Sequence, residues 1–332
     1  MRTFFSVFVA ILLVVAFGFA SANALERYKF GSGPAGGGWN PAIGAGVQLL
    51  NKSLSGKGLK YAHVPSQGSV ANIRRVAKGS FHTTWGHVVQ VVQQWNGTGK
   101  FKKDGVRRDF RIIANVRAQS QIIAVLADSP IKSFSDMTGK KVNLLSRGTG
   151  SNVNCMNMFK GAGIFDKIEK RFLGFRDSGR ALGDRQIDVY CSAGAPFTIP
   201  ALTQLSVRKP VRYVGLSESE QKKVVSTFPF YTPVTIPPLS EVKGQTSHAR
   251  SIAYDVFWVA HKSMSDKGIY EMLKVIADPG NLKKLTKAAR YWAKLSGKFD
   301  NLKVHKVHVH PAAARYWRSR GTDVPGSVVK GY

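Results

Sequence analysis

The stretch GSGPAGGGWNP, residues 31–41, follows the short apolar run Tyr28-Lys29-Phe30 and precedes a helical pattern. Five of its eleven residues are glycine. Glycine loses more backbone entropy on folding than any other residue, so this density marks a place where something approaches the main chain closely. Residues 31–36 match the dinucleotide fingerprint G-x-G-x-x-G, but that site also needs an acidic residue about 20 positions further on. No Asp or Glu occurs between Glu26 and Asp104, so the match is weak. Residues 33–38 have P-loop spacing, yet Trp39-Asn40 stands where Lys-Ser/Thr must reach phosphate and Mg²⁺. A smaller role survives. A glycine-rich turn exposes backbone amides, and the helix start behind it adds partial positive charge, which suits a carboxylate or small anion.

Two further turns have the same design. Gly148-Thr149-Gly150-Ser151 lies at a second strand-to-helix junction with Arg147 beside it, and Arg is suited to bidentate carboxylate binding. Gln67-Gly68-Ser69 is the third. Any one alone reads as an ordinary capped turn. All three at strand-to-helix junctions point to a ligand site.

Arg2, an apolar run over residues 4–19 and the Ala22-Asn23-Ala24 site read as a secretory signal peptide over residues 1–24, cleaved after Ala24. The run is short for a membrane span, which needs about 20 residues. The remaining 332 − 24 = 308 residues exceed the usual size of one core, so two domains are expected. Lys and Arg number 49 against 19 Asp and Glu, a net charge of +30. The cations are scattered and form no nucleic-acid motif, and an exported chain is a poor candidate for nucleic acid. They read as a solvated basic surface, or as a bias toward anionic small molecules or an anionic membrane face.

Strand-like runs alternate with helix-like ones. Ile43, Val47, Leu50 and Leu54 recur at helical spacing, and residues 59–64 read as a strand. Residues 69–77 read as a helix capped by Ser69, and residues 88–95 as another. Residues 110–116 and 122–127 are two apolar strands, followed by strands at 141–145, 187–191 and 211–215 and helices from 152 and 199. Residues 228–238 are proline-rich and are expected to be irregular. Residues 252–260 read as one long strand and 269–285 as one helix. This alternation indicates α/β sheets. Two similar lobes with a cleft between them would bring both glycine loops to one ligand at the carboxyl edges of the sheets.

The chain resembles the TAXI family, the periplasmic substrate-binding subunits of TRAP (tripartite ATP-independent periplasmic) transporters. The resemblance spans the mature chain and rests on residues 33–41, on Gln67-Gly68-Ser69-Val70-Ala71-Asn72, on Trp95-Asn96-Gly97-Thr98-Gly99 and on Gly148-Thr149-Gly150-Ser151. It continues in Gln186-Ile187-Asp188, Pro200-Ala201-Leu202-Thr203, Phe228-Pro229-Phe230-Tyr231 and His310-Pro311-Ala312-Ala313.

It implies an α/β, two-lobed, periplasmic-binding-protein-like fold of type II character, with two mixed or parallel sheets flanked by helices. Lobe one would be residues 25–120 plus 255–332 and lobe two residues 121–254. Crossing segments near 121–127 and 251–260 would form the hinge. The implied function is a monomeric periplasmic receptor that closes on a small, carboxylate-containing solute and delivers it to a TRAP permease, with no catalysis and no cofactor. A sensor feeding a membrane kinase and an ABC-type receptor are the alternatives.

The ligand positions implied are Gly36, Gly37, Gly38, Trp39 and Asn40 in the first loop, and Gln67, Gly68 and Ser69 in the next. Trp85 and His87 follow, and then Arg147, Gly148, Thr149, Gly150 and Ser151. Arg147 would pair with a carboxylate, while Trp39 and Trp85 would pack on the carbon skeleton. The chain departs from the family pattern at His87, where Gln is favoured, at Val89, where Asp is favoured, and at Arg147, where a small residue or Pro is usual. The lost acid and gained Arg suit an anionic ligand.

His305, His308 and His310 suggest a metal cluster, but on a strand His308 and His310 share a face and His305 falls on the other, and no Cys, Asp or Glu lies nearby except Asp300, so a structural histidine before Pro311 is the better reading. Hydrolase elbows are absent and carboxylate pairs scarce. Cys155 and Cys191 fall in one lobe near the cleft edge, either as a disulfide or as two buried thiols.

Overall fold

The computed structural model describes residues 25–299 and 302–331; the expected signal peptide lies outside the described residues. The chain first lays down β1 (Glu26–Gly31), α1 (Trp39–Leu54), β2 (Leu59–Val64), α2 (Ser69–Ala77), β3 (Thr83–His87), α3 (Val88–Asn96) and β4 (Phe110–Asn115). It then crosses to a second sheet with β5 (Gln119–Leu126), β6 (Lys141–Asn143), α4 (Gly150–Gly161), β7 (Glu169–Arg171), α5 (Phe175–Gly183) and β8 (Val189–Gly194). α6 (Pro200–Arg208), β9 (Val211–Tyr213), α7 (Glu218–Thr227), β10 (Thr232–Ile236) and β11 (Ala249–Tyr254) complete that lobe. β12 (Val256–His261) returns to the first sheet, followed by α8 (Asp266–Ile276), α9 (Pro279–Ala288), α10 (Leu302–His305) and α11 (Pro311–Ser319).

The result is a two-lobed, periplasmic-binding-protein-like fold with two mixed sheets flanked by helices. The first sheet has the order β2-β1-β3-β12-β4, with β12 antiparallel to both neighbours. The second has the order β10-β11-β5-β8-β6-β7, with β9 also paired to β5. β3, β5, β8 and β12 are buried along their whole length, which is why they read as continuous apolar runs rather than alternating ones. α1 buries Ala42, Ile43, Val47, Leu50 and Leu54, the stripe expected from a 3.6-residue period. Trp292 packs edge-on to Trp85 at 4.6 Å and to Trp258 at 5.7 Å, all three without exposure. Such aromatic pairs add about 0.5–1.5 kcal/mol each beyond area burial.

Several sequence expectations are corrected. The proline-rich stretch 228–238 contains a regular strand, β10. It forms the edge of its sheet, pairing only with β11, and Pro233 can occupy an edge because its missing N–H is not needed there. The apolar run 252–260 is two strands in two sheets, broken at Asp255, whose carbonyl accepts from Val88 N at 2.9 Å. The helix expected over 269–285 divides at Pro279, with Asp278 capping the second part. The first crossing lies at residues 116–118; residues 121–126 are interior to β5.

Candidate functional site

A cleft of about 400 Å³, counting its open mouth, lies where the carboxyl ends of β1, β2 and β3 face the start of α4. Each glycine loop enters it differently.

The first loop turns at Pro34, whose carbonyl accepts from Gly37 N at 3.0 Å. Asn40 closes it from behind, donating from Nδ2 to the Gly33 carbonyl at 3.0 Å, so this side chain braces the loop rather than lining the cleft. Gly33, Pro34, Gly37, Gly38 and Trp39 line the wall, and Gly36 does not. A Cβ on Gly38 would fall 2.3 Å from the Tyr291 ring, which comes from the turn after α9. What approaches this glycine is therefore an aromatic side chain that the loop admits into the cleft. Trp39 meets His87 edge-on at 5.0 Å and Trp85 at 5.9 Å. Trp85 is buried behind Trp39 and supports it without reaching the cleft.

In the second loop, Gly68 rather than Ser69 is the N-cap of α2. The Ser69 hydroxyl instead accepts from His87 N at 2.9 Å and donates to Gln90 Oε1 at 3.1 Å, tying α2 to the end of β3. His87 is buried. Its Nε2 lies 2.8 Å from Gln119 Oε1 and its Nδ1 3.1 Å from Asn154 Nδ2. Gln119 supplies an acceptor and Asn154 a donor, so the proton sits on Nε2 and the ring is neutral. Burial pushes the His87 pKa down to about 4. Asn157 donates to Tyr231 and Tyr231 to Asn154, so this hydrogen-bond chain joins α4 to β3 across the cleft.

On the opposite wall, Thr149, Gly150 and Ser151 line the cleft at the start of α4, whereas Arg147 and Gly148 are exposed outside it. The Arg147 guanidinium sits 4.1 Å over the Phe172 ring. A Cβ on Gly150 would come within 2.6 Å of both His87 Nδ1 and Ser69 Cβ, so the two lobes meet at this glycine. Cys155 in α4 and Cys191 in β8 form a disulfide, and Gln121 Nε2 lies within 3.1 Å of both sulfurs. Of the three late histidines, His310 caps α11, His308 meets Trp95 edge-on and His305 stacks on Phe230.

Gln119, Phe175, Ala193 and Tyr291 also line the cleft and had no signal in the sequence reading. Each is a single residue far from the loops, and only the chain's return paths bring it there. Phe175 begins α5, so four helix starts face the cleft. Those of α1, α2 and α5 carry no side-chain cap. The first amides of a helix have no partner within it, so the starts of α2 and α5 offer donors and positive partial charge; at α1 only Trp39 N is left, since Asn40 N donates to the Gly37 carbonyl, Ala42 N to the Gly38 carbonyl, and Pro41 has no N–H. Among the described residues that line the cleft, none is Asp, Glu, Lys or Arg. Its two titratable groups are neutral near pH 7, since burial also pushes the Tyr291 phenol up to about 12.

A family model matches residues 30–321. The chain belongs to the NMT1-like family. The match includes every element that lines the cleft of this NMT1-like chain. Among solved structures, XAC2383 from Xanthomonas citri bound to ATP is similar at 11% identity, over 89% of this chain and 98% of that one, with a TM-score of 0.53. The periplasmic aliphatic sulphonate-binding protein SsuA from Escherichia coli is similar at 16% identity, over 91% and 95%, with a TM-score of 0.47. The alkanesulfonate-binding protein SsuA from Xanthomonas axonopodis pv. citri bound to MOPS matches at 13% identity, over 91% and 96%, with a TM-score of 0.49.

Proposed function

We propose that this NMT1-like chain is a periplasmic receptor that closes on a small organic acid and delivers it to a membrane permease of the TRAP type. One observation carries the reading. Uncapped helix starts from both lobes converge on a cleft lined by neutral residues, so an anion is the group that gains most there. Each helix start supplies about 0.3–1 kcal/mol to an exposed anion and up to about 2 kcal/mol when partly buried. Trp39, Phe175 and Tyr291 supply apolar wall for the carbon body. The disulfide suits an oxidising compartment. Closure would follow from contacts made to both lobes at once, of which the His87–Asn154 bond is the built-in example.

The solute would leave unchanged. Native mass spectrometry of the periplasmically expressed protein, followed by denaturing release, tests this. A stoichiometric small acid that survives incubation supports a receptor, and a converted one indicates an enzyme. An ABC-type permease is the alternative partner; uptake in reconstituted vesicles would then require ATP.

A further inference from the structure

We infer that the cleft rejects solutes bearing an ammonium group, so that its ligand is an anion with a neutral body and not an amino acid. The inference rests on the receptor reading above and adds the class of solute. An ammonium taken out of water needs a carboxylate or several free acceptors, or it loses several kcal/mol of hydration. Among the described residues lining the cleft there is no carboxylate. Asp177, two residues into α5 from Phe175, is exposed and outside the lining.

Most of the neutral acceptors are already engaged. Gln119 Oε1 holds the His87 ring, Thr149 Oγ1 accepts from Asn152 N, and Ser69 Oγ accepts from His87 N. The carbonyls of Gly33 and Pro34 accept from Asn40 and Gly37. Beyond the side-chain oxygens of Gln67 and Ser151, two neutral acceptors too few to replace an ammonium's hydration, the walls offer donors and the positive poles of helices, and both repel a cation. Contact with the aromatic wall returns on the order of 2 kcal/mol, less than the several kcal/mol of hydration lost.

The test uses matched pairs on the full mature chain, stripped of bound solute by unfolding and refolding. Pentanoate is compared with 4-aminobutanoate, butane-1-sulfonate with 3-aminopropane-1-sulfonate, and 2-oxoglutarate with glutamate, by titration calorimetry. The expected result is binding of at least one ammonium-free member, with its partner weaker by about a hundredfold or more. The near-isosteric Gln119→Glu, which places a carboxylate beside the cleft, should narrow that ratio by about tenfold. An amino-bearing member that binds as well as its match overturns the inference and leaves the receptor reading standing. The solute found on the unstripped protein decides in the same way: one with an ammonium group overturns the inference, and an anion without one upholds it. A protein that is empty as isolated and binds no member of the panel overturns both.

Discussion

On the outer surface, α7 starts behind Ser217, α8 behind Ser265 and α9 behind Asp278, and each of these side chains accepts from a first-turn amide. At the cleft, α1 starts behind Gly38, α2 behind Gly68 and α5 behind Gly174, with no side chain to offer. A missing cap costs about 1 kcal/mol relative to Ser, Asp or Asn when the alternative is alanine, and a few tenths when it is glycine. The cleft thus forgoes a little stability at three places and keeps the first amides of α2 and α5, and Trp39 N of α1, available. α4 is intermediate, with Thr149 capping Asn152 N while Gly150 and Ser151 still line the cleft.

Variants can break this contrast, beginning with the largest effect. Gly150→Val should lower solute affinity by at least about a hundredfold, roughly 2.7 kcal/mol, because its side chain would meet His87 and Ser69 as the lobes close. Its melting temperature should stay close to that of the parent, and small-angle scattering with solute should show the open form. Normal affinity in this variant would refute the contact between lobes.

Acid should act next. The His87 pKa is depressed to about 4 in the folded chain, against about 6.5 in an unfolded one. The unfolded state therefore binds the extra proton between those values, and stability falls as pH drops through that window. The loss approaches about 3 kcal/mol for this one group. Denaturant midpoints at pH 7 and pH 4, compared between the parent and His87→Gln, would measure it; equal losses in both would remove His87 as the cause.

Asp278→Ala, on the outer surface, should cost about 1 kcal/mol of stability and leave affinity unchanged. Gly174→Ser supplies a cap at the cleft, where a Cβ has room at 3.5 Å from Asp177. It should gain a few tenths of a kcal/mol in stability while weakening solute binding, and unaltered binding would take α5 out of the site. Arg147→Ala should change affinity least, by under about 0.5 kcal/mol, since its guanidinium rests on Phe172 outside the cleft.

What could be read from the sequence is what local rules control. The stripe of α1, the glycine turns and the successive strands β4 and β5 follow from spacing alone. Residues 252–260 misled because one apolar run serves two sheets, and the change of sheet leaves no mark except Asp255. Arg147 stands beside a lining loop yet points to Phe172, a preference that depends on packing and not on sequence neighbours. Tyr291 and Gln119 reach the cleft from distant segments, and Gly38 records that arrival only as an absent side chain.

The position of β12 has a consequence for how the chain is made. β3 and β4 do not pair with each other; both pair with β12, which lies between them. The first lobe is therefore missing an interior strand while the whole second lobe, β5 to β11, is being synthesised. Until Val256 and its neighbours have left the ribosome, the earlier segments have an open gap where a buried strand belongs. The lobe begun first must be the one finished last.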